Sequence, residues 1–175
     1  AKMSVELYYG VLEDRDLITR AVRVVNQGTG PVRLLRCASL CLDFQQDSMD
    51  FITFDGCHTM ERCPNRTPLR PGIQSVNSLR GTSSHHHNPF VILCGHEANE
   101  DYGLCYGAML VYSGNFQCQV ELDQTEQTRL IMGIHHSNFS FRLNPKESFT
   151  TPEAVMTWSG NGLEQISHHF HDAFS

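Results

Sequence analysis

Phe116-Gln117-Cys118-Gln119-Val120-Glu121-Leu122 alternates without a break. Phe116, Cys118, Val120 and Leu122 fall on one side of an extended chain, and Gln117, Gln119 and Glu121 on the other. That period of two predicts a half-buried antiparallel strand. Downstream, Thr128–Ile134 and 139–143 repeat the signal, Asn144-Pro145-Lys146-Glu147 makes a turn, and 154–158 closes the series. Upstream, residues 4–12 place Val5, Leu7, Tyr9 and Val11 on alternate positions, and Glu13-Asp14-Arg15-Asp16 turns the chain. Leu17–Asn26 returns with Ile18, Val22 and Val24 on one face. Residues 26–31 are dense in turn formers. Residues 32–44 are apolar on both faces and predict a central strand. Short strands are expected at 49–54, 73–79, 90–94 and 104–112, whereas 55–71 lacks periodicity and predicts a long functional or interfacial loop. So many short strands between turns predict an all-β fold, an antiparallel β-sandwich. The C-terminus departs from this pattern. Leu163, Ile166, Phe170 and Phe174 recur at spacings of three and four, one face of a short helix that Asn161 is placed to cap.

The bulk numbers exclude several classes. The 175 residues fit one domain with a real core, and 40% hydrophobic with 18% charged residues is a globular balance. Net charge is -6 and no run of lysine or arginine occurs, which argues against a nucleic-acid partner. No apolar run reaches the roughly 18 residues of a membrane span. The opening AKMSVELYYG has no basic segment followed by an apolar one, so a cytoplasmic location is expected. The seven cysteines include no Cys-x-x-Cys and are expected to be reduced and structural. Cys41, Cys94, Cys105 and Cys118 lie in apolar runs and read as core side chains, with Cys57 and Cys63 exposed.

Chemistry is sparse. His85-His86-His87 invites a metal reading, but on a strand only His85 and His87 share a face, and zinc needs a third or fourth ligand. His135-His136 and His168-His169-x-His171 are further clusters by adjacency. No metal and no cofactor is expected. His85 and His87 are expected to donate hydrogen bonds to buried carbonyls. Glu97, Glu100 and Asp101 share one polar turn and read as solvated acids rather than the facing pair that glycoside hydrolysis requires.

One set of stretches is far less generic. Gly56-Cys57-His58-Thr59-Met60-Glu61-Arg62 is followed by Pro68-Leu69-Arg70 and Gln74-Ser75-Val76. Arg80-Gly81-Thr82-Ser83-Ser84-His85-His86-His87-Asn88-Pro89-Phe90 comes next, then Tyr106-Gly107 and Val111-Tyr112-Ser113-Gly114-Asn115-Phe116. Gln127-Thr128-Arg129, Met132-Gly133 and Phe149-x-Thr151-Pro152-Glu153 complete the set. In type, order and spacing these resemble the N-terminal β-domain of family-36 α-galactosidases, over nearly the whole chain.

The resemblance implies a β-supersandwich, a linker helix and then a catalytic (β/α)8 barrel. Residues 1–160 correspond to the second part of the supersandwich and 161–175 to the start of the linker helix. The family's nucleophile lies in a Lys-Trp-Asp stretch of the barrel. The tryptophan here, Trp158, stands in Thr157-Trp158-Ser159, so the chain is expected to be inactive as a glycosidase by itself. In tetrameric members a loop of this domain approaches the sugar bound by a neighbouring subunit, often through tryptophan in a Gly-Ala-Trp context. Here that context is Gly56-Cys57-His58, which makes His58 the implied galactoside-binding residue in trans. The implied partners are a galactoside, the parent barrel and further copies of the chain.

Two other functions remain open at this level. A mutarotase-like enzyme would use His87 or His58 with Glu97 or Glu153 for proton transfer. A free-standing carbohydrate-binding module would need an exposed aromatic platform, and the aromatic residues fall mostly at inward-looking strand positions.

Overall fold

The computed structural model describes residues 1–46, 48–57, 60–82 and 87–174, with backbone alone at 57, 60–62 and 174. In chain order the strands are β1 (Met3–Leu12), β2 (Leu17–Asn26), β3 (Val32–Leu34), β4 (Ala38–Phe44), β5 (Met49–Cys57), β6 (Met60–Pro68) and β7 (Gly72–Asn77). They continue as β8 (His87–Gly95), β9 (Cys105–Leu110), β10 (Phe116–Leu122), β11 (Thr128–Ile134), β12 (Phe141–Leu143), β13 (Ser148–Thr150) and β14 (Ala154–Ser159). A 3-10 turn at Glu13–Arg15 joins β1 to β2, and one α-helix among the described residues, α1 (Leu163–Phe174), follows β14. The large sheet runs β1-β2-β14-β9-β8-β5-β6, with β13 also on β2; the small sheet runs β4-β11-β10-β7, and β3 pairs with β12. Every pairing of named strands is antiparallel. The fold is an all-β sandwich with a short C-terminal helix.

Alternation decides which layer each side chain enters. Phe51, Val91, Leu93, Ala108, Leu110 and Ala154 face the small sheet, where they meet Leu40, Phe116, Cys118, Val120, Leu130 and Met132. The intervening residues Ile52, Ile92, Cys94, Cys105 and Val155 face outward and are covered by Ile166 and Phe170 of α1. The central strands of the large sheet are therefore buried on both faces, which is why residues 90–94 of β8 read as an unbroken apolar run. A third cluster packs Val22, Val24 and Leu143 beneath the β3–β12 pair.

Two glycines seat the helix. A Cβ on Gly107 would lie 2.8 Å from Ile166 Cγ2 and 2.9 Å from the Phe170 ring, so its absence lets α1 approach β9. Gly162 has φ +88°, and a Cβ there would lie 2.4 Å from the Glu100 carbonyl oxygen. Asn161 does not cap the helix as the sequence suggests; its side chain donates to Gln165. The amides of Gly162, Leu163 and Glu164 donate instead to the carbonyls of Gly103, Asn99 and Glu100. At the far end, Arg15 Nη1 donates to the Ala173 carbonyl.

Two expectations are corrected. Residues 32–44 form two strands in different sheets, because the chain breaks at 35–37; β4 is an edge strand with Cys41 in solvent, not in the core. The segment 55–71 is a β-hairpin arm rather than a loop: β6 pairs residue by residue with β5. It shows no alternation because, as an edge strand, it exposes Cys63, Pro64, Asn65 and Arg66 alike. The apolar stripe of the helix is covered within the chain, since Ile166 and Phe170 are buried against the outer face of the large sheet. The Phe174 side chain lies outside the described residues.

Candidate functional site

The end of the β5–β6 hairpin positions the residues singled out by sequence. The register slips between Asp55 and Cys57, so Cys57 stands opposite Met60 at the turn. A bulge of this kind re-aims a strand end. Asp55 stands across from Cys63 on one side and His87 on the other. His87 Nδ1 lies 2.9 Å from Asp55 Oδ1, and both side chains are about half exposed. His87 therefore holds a carboxylate at the surface and not a buried carbonyl as expected. His58, His85 and His86 lie outside the described residues.

His87 and Glu97 are not brought together for proton transfer. His87 opens β8 and Glu97 lies beyond its end, so at roughly 3.3 Å per residue they stand at opposite ends of the strand. Among the described bonds, Glu153 enters through its carbonyl, which accepts from Val111.

Two other acids are unsuited to donate a proton. A recess of 130 Å³ is lined by Asp43, Glu121, Asp123, Gln127 and Arg129. Arg129 grips Asp43 with two bonds, Nε to Oδ1 at 2.6 Å and Nη2 to Oδ2 at 3.0 Å. That guanidinium holds the Asp43 carboxyl below the usual range. Asp123 accepts from the Gln127 amide and from the Thr125 hydroxyl and amide, which lowers it likewise. Solvated carboxylates held ionised cannot serve as general acids at neutral pH. Among the described residues, no group of three or more His, Cys, Asp or Glu is arranged to hold a metal ion. No described helix is long and apolar enough to cross a membrane.

Sequence reasoning missed a second, larger recess. A cleft of 470 Å³ opens where the small sheet stops short of the large one. Leu42, Phe44 and Leu130 form one wall; Val11, Ile18, Tyr106, Met156 and Trp158 form the other. Trp158 is 61% exposed, so the aromatics are not all inward in the sense of covered. Alternation marks the face to which Trp158 belongs, but whether that face is covered depends on the width of the opposite sheet. The lining is mostly carbon, with Glu13 and Asp16 as its acids. A sugar would lose water from its hydroxyls there with few partners to replace it. Extended chain with apolar side chains suits the cleft better.

The description of the glycosyl hydrolase family 36 N-terminal domain matches residues 1–144. The chain belongs to this family. It is 47% identical over 172 residues to the bifunctional α-galactosidase/sucrose kinase AgaSK of Mediterraneibacter gnavus, covering 98% of this chain and 18% of that protein. It is 41% identical over 172 residues to α-galactosidase AgaA of Geobacillus stearothermophilus, covering 98% of this chain and 24% of AgaA. A crystal structure of an AgaA variant with raffinose superimposes with a TM-score of 0.96 over 98% of this chain, at 41% identity, and uses 24% of that chain. The galactosidase domain of AgaSK superimposes with a TM-score of 0.94 over 97% of this chain and 24% of its own. The chain thus spans about a fifth to a quarter of the relatives it matches.

Proposed function

We propose that this chain serves as a non-catalytic part of a retaining α-galactosidase that cleaves terminal α-galactosides from galacto-oligosaccharides in the cytoplasm. Residues 1–160 belong to a larger β-supersandwich, and α1 begins the linker towards a (β/α)8 barrel that carries the catalytic carboxylates. The domain supports that barrel and joins subunits into a tetramer. The hairpin bearing His58 reaches the sugar pocket of a neighbouring subunit. The observation that carries this reading is the match of nearly the whole chain to about a quarter of each solved α-galactosidase, at the same fold and at 41–47% identity. The Asp55–His87 pair supports it, because it ties β5 to β8 just below the hairpin turn and so steadies the base of the arm.

The test is His58→Ala in the full-length enzyme. One sugar hydrogen bond is worth about 0.5–1.5 kcal/mol. KM for raffinose should therefore rise roughly three- to tenfold, with kcat and Tm near their starting values. Unchanged KM for both raffinose and a nitrophenyl galactoside removes His58 from the sugar site.

A further inference from the structure

Two strands bring two buried thiols face to face. Cys94 in β8 and Cys105 in β9 are direct register partners. The Gly95 amide donates to the Leu104 carbonyl at 3.1 Å, which makes the next pair along the ladder a hydrogen-bonded one. Bonded and non-bonded pairs alternate, so Cys94 and Cys105 occupy a non-hydrogen-bonded pair, where Cα atoms approach to about 4.5 Å and side chains lie closest. A disulfide spans about 4.4–6.8 Å between Cα atoms. Both side chains point to the outer face beneath α1, and both are fully buried.

Their surroundings are polar on one side. Asp50 is the register partner of Cys94 on β5. It binds Arg66 Nε at 2.6 Å and His96 Nδ1 at 2.5 Å. Arg66 also donates to the carbonyls of Ala98, Gly95 and His96, and so clamps the turn that leaves Cys94. The neighbouring Cys105 thiol and the positive charge of Arg66 both favour an ionised Cys94 sulfur, and burial opposes it; Cys105 Sγ itself donates to the Gly103 carbonyl at 3.8 Å. The neighbouring Cys94 sulfur and then burial push the Cys105 thiol up.

We propose that Cys94 and Cys105 form a redox-active dithiol, a covalent modification site that a peroxide or a low-molecular-weight disulfide converts to an intrachain cross-strand bond. With hydrogen peroxide, the Cys94 sulfur attacks one oxygen and the O–O bond breaks, giving a sulfenic acid and hydroxide, which becomes water on protonation. The Cys105 sulfur then displaces that hydroxyl, and the thiol protons leave in two molecules of water. Two electrons pass from the sulfurs to the peroxide. With glutathione disulfide, Cys94 forms a mixed disulfide, Cys105 displaces the second glutathione, and two thiols are released. The bond staples β8 to β9 beside the Arg66-clamped turn and beneath the helix.

The experiment uses the chain carrying Cys41→Ser and Cys63→Ser, which removes two exposed thiols. The folded protein is exposed to hydrogen peroxide or glutathione disulfide, then unfolded in N-ethylmaleimide and weighed. A second sample is refolded from denaturant in a glutathione redox buffer, so that slow access to buried thiols cannot hide the bond. The expected product has lost two hydrogens, takes up two fewer maleimides, and yields one linked peptide pair joining 94 to 105. Its Tm rises by several degrees and returns on reduction. Cys105→Ala should stop Cys94 at the sulfenic acid or the glutathione adduct. Full alkylation of both thiols after both treatments, or a bond that joins either to another cysteine, overturns the proposal.

Discussion

At one edge of the large sheet, β6 turns Pro64, Arg66 and Pro68 towards solvent or its rim; at the other, β1 turns out Val5, Leu7, Tyr9 and Val11. Proline cannot donate to a further strand and a charge resists burial, so β6 is a terminal edge. On β1 the four apolar residues share the inner face with their partners Val24, Val22, Arg20 and Ile18, and each is more than half exposed. No proline interrupts it, and its outer edge has no partner strand among the described residues. It is built like an interior strand. The difference teaches that one sheet can be finished at one end and open at the other while the alternation along its strands stays the same.

The largest contrast should appear when the covered part of the sheet is set against the open part. Gly162→Ala forces a Cβ into the carbonyls of Asn99 and Glu100 at a positive φ, and should cost about 3 kcal/mol or more. Ile166→Ala empties a fully buried site and should cost about 2–5 kcal/mol. Val11→Ala at the open end should change stability by no more than about 0.5 kcal/mol. Urea unfolding measures all three. Equal costs at Ile166 and Val11 would mean that the open end is covered in solution.

The second contrast concerns what covers β1. In the full-length enzyme we assign that place to further strands of the supersandwich. The 175-residue chain by itself is expected to pair with a second copy of itself. An antiparallel register centred on Tyr8 sets Val5 opposite Val11 and Leu7 opposite Tyr9 of the second copy, so each of these four apolar residues meets another. Four apolar cross-strand pairs at about 0.2–1 kcal/mol each give about 1–4 kcal/mol. Leu7→Lys with Val11→Lys should therefore weaken association roughly tenfold or more in sedimentation equilibrium. A change of Asn65→Lys on the β6 edge should leave it unaltered. Association indifferent to the β1 substitutions would place the contact elsewhere.

How much of this was legible follows the same division. Strands with one covered face announced themselves: Leu17–Asn26, Phe116–Leu122 and Thr128–Ile134 have the bounds that alternation predicts. Alternation failed where both faces meet one environment. β6 is exposed on both and looked like a loop; β3 and β4 looked like one strand because the break at 35–37 carries no proline or glycine. The helix face was legible, but its cover was not, because the glycine that admits it, Gly107, lies far away in sequence. At the candidate site, the motif run marked the hairpin, yet the Asp55–His87 pair depends on a register slip that no local pattern encodes.

The smallest expected effect is a pH dependence confined to the closed end of the sandwich. His135 follows β11 and is buried; its amide donates to the Asn115 carbonyl and its Nδ1 accepts from the Ser137 amide at 3.1 Å. Burial lowers its pKa, and the stacked His136 ring lowers it further. A histidine with a depressed folded pKa binds fewer protons folded than unfolded. Its contribution is fully present above the unfolded value of about 6.5 and is lost as pH falls through the folded one. Protonation also removes the acceptor used by Ser137. Tm should fall by about two degrees or less between pH 7 and pH 5 on this account. His135→Asn keeps an acceptor near Nδ1 and removes the titration, so that part of the slope should vanish while Tm at pH 7 changes little. The open end offers no equivalent, because β1 carries no histidine and its side chains already meet water. If the slope survives His135→Asn, the protons are taken up elsewhere and the closed end is not where acid acts.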